Sequence, residues 1–358
     1  MQQNTFLLYG ANGYTGELIA RFAGRFGLQP VLAGRNEKAI QELANRLQLP
    51  GCILLLTDAS ALQAQLAGYS LVVNAAGPYD ITAKPMVEAC LHTGTHCIDL
   101  NGDTEVFTLL QTYHRQALEK GIMLLPGAGF DVVPTDCMAL WLKNQLPDAD
   151  TLEIAFTITG SHLSRGTAIT TLQKLGLPGA VRTNGQITPE PVGKRGKWVR
   201  FTSQHRQFTM SIPWGDISTA WISTGIPNII TYTGISRFIW MFLRLQRAFN
   251  PLLRAGWMHK LMGKMIRRQP PGPSDAVRSK AASFIKAAVS NRNGQTVMGG
   301  MRCPEAYSLT ADATLLIAQK ILSGNYKPGY QTPAGAYGAD LVMELEGVTR
   351  WQETDATW

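Results

Sequence analysis

The sequence lacks the residue patterns that mark several kinds of chemistry. Its five cysteines, Cys52, Cys90, Cys97, Cys137 and Cys303, are odd in number and form no C-x-x-C pair. That excludes a disulfide framework and predicts buried free thiols in a cytoplasmic protein. There is no H-E-x-x-H, no Cys–His ligand set and no G-x-S-x-G elbow, so neither a metal nor nucleophilic hydrolysis is expected. His92 and His96 flank a turn with no carboxylate cluster beside them. The first apolar run, Phe6 to Tyr9, is too short for a signal peptide and no Lys or Arg precedes it. Low-complexity segments are missing too, and 45% apolar content over 358 residues predicts an ordered chain with a full core and two domains. The last absence is local. From Ile229 to Pro270 there are eight Lys or Arg and no Asp or Glu, and an uneven basic balance of this kind suits an anionic partner.

What is present begins with LLYGANGYTGELIA, residues 7–20. Thr5–Tyr9 reads as a buried strand and Glu17–Phe26 as a helix. Strands then alternate with helices: Pro30–Ala33, a helix over Glu37–Leu47 capped by Asn36, CILLLTD, a helix over Leu62–Leu66, SLVVNAAGPY, a helix over Met86–His92, HCIDLNGD, a helix over Val106–Lys120 and finally GIMLLPGAGFD. Nearly continuous apolar runs in the strands predict a parallel sheet covered on both faces, a doubly wound α/β fold of the Rossmann type. The glycines stand in its first strand-to-helix turn. There Gly10 permits the sharp turn, Gly13 lets backbone approach a pyrophosphate and Gly16 lets helix and strand pack closely. Main-chain N–H groups at the helix start then receive phosphates. The spacing, GxxGxxG, is weak by itself; its place at the head of successive alternating units makes it a dinucleotide signal.

At the end of the second strand the sequence reads AGRN. An NAD site usually has a carboxylate there. Arg35 instead offers a guanidinium that can pair with a 2′-phosphate, which favours NADP over NAD. Thr57 and Asp58, after the third strand, fall near the adenine, and Asn74 to Tyr79, after the fourth, near the inner ribose. Asp99, Asn101 and Gly102 follow the fifth strand; Gly127, Gly129, Phe130 and Asp131 follow the sixth. All belong to the carboxyl ends of strands, where open parallel sheets bind ligands.

GANGYTGELIA, LAGRN, VVNAAGPY, CIDLNGD and PGAGFDVVPTD together resemble the NADP-binding domain of the saccharopine dehydrogenase-like oxidoreductases. The resemblance implies a nicotinamide cofactor held by Gly10, Ala11, Asn12, Gly13, Tyr14, Thr15 and Gly16, with Arg35 on the 2′-phosphate and Ala76, Gly77, Pro78 and Tyr79 near the nicotinamide half. It says little of substrate, because the family is similar both to enzymes that join an amino acid and an aldehyde-derived imine and to trans-acting enoyl reductases. The C-terminal segment from Pro304, with its Y-x-x-T-A helix start and TPA stretch, also resembles the family. Residues 137–300 depart most, and look short for a domain that grips a glutamate and a lysine chain.

The domains expected are therefore a dinucleotide-binding domain over 1–136, an α+β substrate domain over 137–304 and a C-terminal segment over 305–358 packing back near the cofactor domain. In the middle domain TLEIAFTITG, KWVRFTS, RQFTMSIPW and TVMGGMRC read as strands of a mixed or antiparallel sheet. A helix begins at Gly166 and Thr167, where Arg165 is a candidate for a substrate carboxylate or thioester carbonyl and Ser164 and Thr167 offer hydroxyls. A capping Ser or Thr beside a surface Arg is the alternative, and His162 is the nearest histidine. Tyr79, Asp131 and Tyr307 are the candidate proton donors for hydride transfer to a C=N, C=O or activated C=C bond of a small or lipid-like metabolite.

Residues 235–268 read as basic amphipathic helices. Arg237, Arg244 and Arg247 lie opposite Phe238, Trp240, Met241 and Leu245; past Pro251, the basic Lys260, Lys264, Arg267 and Arg268 lie across from Trp257, Leu261 and Met265. Six apolar residues between two arginines cannot span a bilayer. The apolar faces fit the domain's own sheet, a homodimer contact, a lid over a greasy substrate or a peripheral membrane contact. No nucleic-acid module accompanies them. A regulatory dinucleotide-binding protein without catalysis, or a membrane-peripheral scaffold, stands as the alternative to an enzyme.

Overall fold

The computed structural model describes residues 4–174, 176–244, 255–354 and 358. The chain divides into two units: Met1–Val133 with Tyr307–Leu345, and Pro134–Ala306 with Glu346–Trp358.

The first unit is built on a seven-stranded sheet. Its strands are β1 (Thr5–Tyr9), β2 (Gln29–Gly34), β3 (Gly51–Ile53), β4 (Leu71–Asn74), β5 (His96–Asp99) and β6 (Met123–Leu125), with a short strand Gly329–Tyr330 added beyond β6. Every pairing is parallel, in the spatial order 329–330, β6, β5, β4, β1, β2, β3. The order reverses at β1, the position that makes a crevice in such sheets. Leu7, Leu8, Val72, Val73 and Ile98 are wholly buried, as strands covered on both faces require.

The helices of this unit are α1 (Tyr14–Phe22), α2 (Glu37–Leu47), α3 (Ala59–Leu66), α4 (Tyr79–Thr93), α5 (Thr104–Gln111) and α6 (His114–Glu119). Helix α2 has the expected bounds, and the Asn36 side chain accepts from the Ala39 N–H at 3.1 Å. Helix α4 begins seven residues before the expected start at Met86. Pro85 donates no hydrogen bond and reads as a break, but burial of Ala83, Met86, Val87 and Cys90 carries the helix through it. The expected third strand shrinks to Gly51–Ile53 at the sheet edge, where Leu55 is half exposed, and the expected Val106–Lys120 helix is two helices. The five cysteines are free thiols, four of them buried.

The second unit opens with α7 (Val133–Gln145) and contains β7 (Thr151–Thr159), α8 (Arg165–Gln173), β8 (Gly179–Thr183), β9 (Gln186–Glu190), β10 (Gly196–Arg200), β11 (Arg206–Ile212), α9 (Asp216–Thr224), β12 (Asn228–Gly234), α10 (Arg237–Arg244), β13 (Ala282–Ser290) and β14 (Thr296–Pro304). Its main path runs β10-β11-β12-β7-β13-β14 and ends on a strand at Thr349–Gln352, with β8 paired to β12 and β9 paired to β8. Pairing along that path is antiparallel except between β12 and β7. The C-terminal segment expected as one body over 305–358 is divided: residues 307–345 belong to the first unit, while the strand at 349–352 closes the edge of the second.

Candidate functional site

Because the first sheet is wholly parallel, the loops that leave the carboxyl ends of its strands gather on one rim. The β1–α1 turn is fixed by its backbone. Gly10 has φ +82°, and a Cβ there would stand 2.8 Å from both the Ala76 nitrogen and its Cβ. A Cβ on Gly16 would stand 2.3 Å from the Gly10 carbonyl oxygen. Neither position has room for any side chain. The Gly10 and Ala11 N–H groups both donate to the Ala33 carbonyl, at 2.8 and 3.2 Å, which ties the turn to β2. At Gly13 a Cβ would meet one atom only, the Gly10 oxygen at 3.2 Å. Gly13 is also the N-cap of α1, and no side chain caps that end. Ala11 is buried, Asn12 is exposed and Tyr14 and Thr15 are half-buried. The first helical turn thus keeps main-chain donors in place for an anion.

Arg35 is exposed at the end of β2. It lies near enough to Tyr9 for its charge to lower that phenol, whose acidity burial otherwise weakens. Asp58 begins α3, and its carboxylate accepts from the Ala61 N–H at 2.9 Å, so the group expected near the adenine is engaged as a helix cap.

On the other side of β1 the loops are held by buried polar side chains. Asn74 is 1% exposed; its Oδ1 accepts from the Ala76 N–H at 3.1 Å and its Nδ2 donates to the Thr82 hydroxyl at 3.3 Å. Thr82 in turn donates to the Ala76 carbonyl at 2.6 Å. These bonds fix the course of Ala75, Ala76 and Gly77 against the glycine turn, with Pro78 as N-cap of α4. The Asp99 carboxylate accepts from the Asn101 and Gly127 N–H groups at 2.8 and 3.1 Å. Burial nonetheless dominates and raises it to about 7, against those two bonds. Tyr79, at the first turn of α4, is pushed well above its ordinary value by burial and then by the Asp99 and Asp131 carboxylates, opposed by a hydrogen bond from the Leu100 main chain. Asp131 packs so closely on Gly102 that a Cβ there would sit 2.6 Å from its carboxylate oxygen. Tyr79, Asp99 and Asp131 therefore form one cluster across the ends of β4, β5 and β6.

Of the three candidate donors, Tyr79 and Asp131 are brought together by the cluster at Asp99. Tyr307 stands in the first turn of the 306–322 helix and packs edge-on against Tyr14 of the glycine turn, with ring centroids 5.1 Å apart. One turn on, the Thr310 hydroxyl accepts from the Phe130 N–H at 3.0 Å, and Thr314 donates to the Ala128 carbonyl at 3.2 Å. This helix thus braces both the β1 and β6 loops. Asp99, Asn74, Thr82 and Thr310 carry much of the geometry. The sequence placed Asn74 and Asp99 at strand ends along the cleft and Thr310 in the Y-x-x-T-A helix start, without these roles; Thr82 had no signal beyond its helix.

Arg165 and Thr167, the expected substrate residues, belong to the second unit. Ser164 caps α8 through the Thr167 N–H at 3.2 Å, and the Arg165 guanidinium donates to the Arg267 carbonyl at 3.4 Å. Both make helix-end contacts. His96 is also structural: it accepts from the Met123 N–H at 3.0 Å, and burial lowers it to about 4. Among the described residues no group of His, Cys, Asp and Glu could hold a metal ion. A hollow of about 540 Å³ is lined by Thr5, Val31, Gln65, Tyr69 and Ser70. It lies at the amino ends of strands, away from the rim.

The saccharopine dehydrogenase NADP binding domain model matches residues 6–125. A saccharopine dehydrogenase-like oxidoreductase of Mus musculus is 29% identical over 160 residues, covering 39% of this chain and 37% of that protein. A Mycobacterium tuberculosis protein whose name assigns it, as a proposal, trans-acting enoyl reductase activity is 35% identical over 138 residues, or 36% of this chain and 33% of that one. The matches thus span little more than a third of the curated relatives' length. Among solved structures, apo saccharopine dehydrogenase (L-Glu forming) from Saccharomyces cerevisiae aligns with a TM-score of 0.71 at 13% identity, over 98% of this chain and 100% of that one. That likeness is one of fold, and it extends over residues 137–300. Residues 6–125 thus match the NADP binding domain of the saccharopine dehydrogenases, and the parallel sheet built on them is of the Rossmann type.

Proposed function

We propose that the protein is an NADP-dependent oxidoreductase that moves a hydride to or from a C=N, C=O or activated C=C bond of a small or lipid-like metabolite. The observation that carries this reading is the β1–α1 turn, where Gly10 and Gly16 admit no side chain while the start of α1 has no side-chain cap. The names of the matching family model and relatives support it. In this reading the turn from Gly10 to Gly16 holds the pyrophosphate, Arg35 pairs with the 2′-phosphate, and Ala76 to Pro78 lie along the nicotinamide half. A bound nicotinamide supplies or accepts the hydride at its C4. The chain's own task is to position the substrate and hold the proton. Tyr79 stays protonated throughout the physiological range, and Asp99 keeps its proton below about 7. Together with Asp131 they form a proton-holding cluster fit to polarise the far end of the reacting bond.

Calorimetric titration of the purified protein with NADPH and NADH tests the reading. All eight tryptophans lie from Trp141 to Trp358, outside the first unit, so calorimetry is the more direct readout than tryptophan quenching. Tight NADPH and weak NADH binding is the expected result; binding of neither overturns it. Turnover of an imine, a keto acid or an enoyl thioester then separates an enzyme from a dinucleotide-binding regulator.

A further inference from the structure

The second unit carries two helices whose apolar residues are split between inside and outside. In α10, the half-buried Trp240 packs against the sheet: its Nε1 donates to the Gly193 carbonyl at 2.8 Å, and its ring lies 4.8 Å from that of Phe208 on β11. Phe238, Met241 and Phe242 are 67, 56 and 59% exposed, and the two phenylalanine rings pack on each other at 4.8 Å in the open. Of the alternatives for the apolar side, cover of the sheet thus fits Trp240 and does not fit these three. Arg247, Leu245 and Pro251 lie outside the described residues.

The 256–267 helix repeats the arrangement. It packs on α8 by the side that holds the buried Gly263, and turns Trp257, Leu261 and Met265 outward at 58, 51 and 61% exposure. Lys260, Lys264, Arg267 and Arg268 are exposed too. At about 100° per residue all seven fall on one outward half of the helix, so the cations border the apolar residues rather than stand opposite them. Among the described residues none of these four cations, nor Arg237 or Arg244, has a carboxylate partner, and no acid occurs between Asp216 and Asp275.

Topology puts both helices at one end of the sheet. Strands β7 and β12 are parallel neighbours, with Thr233 opposite Phe156. Their carboxyl ends lead to α8 and to α10, and the 256–267 helix is fastened to α8 through Arg165, whose N–H donates to Pro271 at 3.0 Å and whose guanidinium reaches Arg267.

We propose that this end of the second unit docks on an anionic phospholipid bilayer surface. The exposed aromatic and aliphatic side chains enter the boundary between headgroups and acyl chains, while the bordering lysines and arginines reach the lipid phosphates. Charge complementarity selects this occupant. A second copy of the same surface would bring cation against cation with no acid to offset it. The docking is peripheral, because no described helix is long and apolar enough to cross a membrane.

The test is co-sedimentation of the full chain with vesicles of equimolar phosphatidylglycerol and phosphatidylcholine, and with phosphatidylcholine alone. Binding is expected to the anionic vesicles, weaker by at least about tenfold to the neutral ones and in high salt. The variant Phe242→Ser/Trp257→Ser removes the apolar contact, and Lys260→Gln/Lys264→Gln/Arg268→Gln removes the charge; each is expected to weaken binding about tenfold or more. Since all five side chains are exposed, the thermal melt and NADPH binding should match the parent chain, and if the first variant fails to fold the second still decides. Absence of binding to anionic vesicles overturns the proposal, as does binding that neither variant weakens. Sedimentation equilibrium showing a dimer that these same substitutions dissociate, with no vesicle binding, assigns the faces to a second copy instead and also overturns it.

Discussion

The two sides of the rim of the first sheet are made of different material. On the β1–β2 side the shape comes from backbone: glycine atoms where no Cβ fits, main-chain bonds from Gly10 and Ala11 to Ala33, and one exposed cation, Arg35. On the β4–β6 side it comes from buried polar side chains, with Asn74 and Thr82 bracing one loop and Asp99 anchoring two others. A backbone cradle suits a ligand whose phosphates are always ionised, since it supplies donors without a titrating group. A cluster of Tyr79, Asp99 and Asp131 suits a reaction in which a proton must be stored and released. Substitutions should therefore act on fold and binding on one side, and on proton occupancy on the other.

The largest effect is expected at Gly16. Valine there drives Cβ into the Gly10 carbonyl at 2.3 Å, and neither backbone segment can yield without breaking the bonds to Ala33. Gly16→Val should lose roughly 3 kcal/mol or more of stability. Gly13→Ala is the contrast, because its φ of −78° suits any residue and its Cβ meets one atom at 3.2 Å. It should cost under about 1 kcal/mol yet weaken NADPH binding, because the methyl group occupies the approach to α1. Urea unfolding and calorimetry on both variants measure this. Equal stability losses would mean that Gly13 serves packing alone.

Across the rim, Asp99 gives a pH signature. Its native carboxyl titrates at about 7, against an ordinary value of 3.8. Between the two the unfolded chain is ionised while the native chain holds the proton. The native state then binds more protons, so stability falls as pH rises through this window, by up to about 1.4 kcal/mol per pH unit, and levels off above 7. Asp99→Asn keeps an Oδ1 to accept from Asn101 and Gly127 and removes the titration. Its unfolding free energy should lose that slope between pH 5 and 7 while the parent keeps it. Parallel pH profiles for the two proteins would show that Asp99 is ionised in the native state and holds no proton to give.

The same contrast separates what the sequence could and could not disclose. The backbone side was legible because its signals are local: three glycines at fixed spacing after an apolar run, and Asn36 immediately before a helix with apolar residues at 3.6 spacing. The side-chain side was half legible. Asp99 and Asp131 could be placed at strand ends, but a carboxyl raised to about 7 is a product of desolvation by residues remote in the chain. Pro85 concealed the first turn of α4, and with it the helical position of Tyr79. In the second unit, β12 and β13 escaped notice because a strand's partners are set by the sheet and not by its own composition. Helix α10 shows the limit of periodicity. With Trp240 turned inward and Phe238, Met241 and Phe242 turned outward, a hydropathy pattern cannot tell which apolar arc meets the protein.

The smallest effect is expected at Arg35. It is exposed, and the helix start beside it is capped by Asn36, so Arg35→Ala should leave stability within about 0.5 kcal/mol of the parent. Its proposed contact is one charge-assisted pair with a 2′-phosphate. Losing it should weaken NADPH about tenfold, roughly 1.4 kcal/mol, while NADH, which lacks that phosphate, is unchanged. An internal control stands nearby, since the Arg35 charge lowers the Tyr9 hydroxyl against the larger effect of burial. In Arg35→Ala that phenol should titrate higher by ultraviolet difference spectra. A Tyr9 shift with equal losses for both nucleotides would place the guanidinium at this rim but deny it any part in choosing between them.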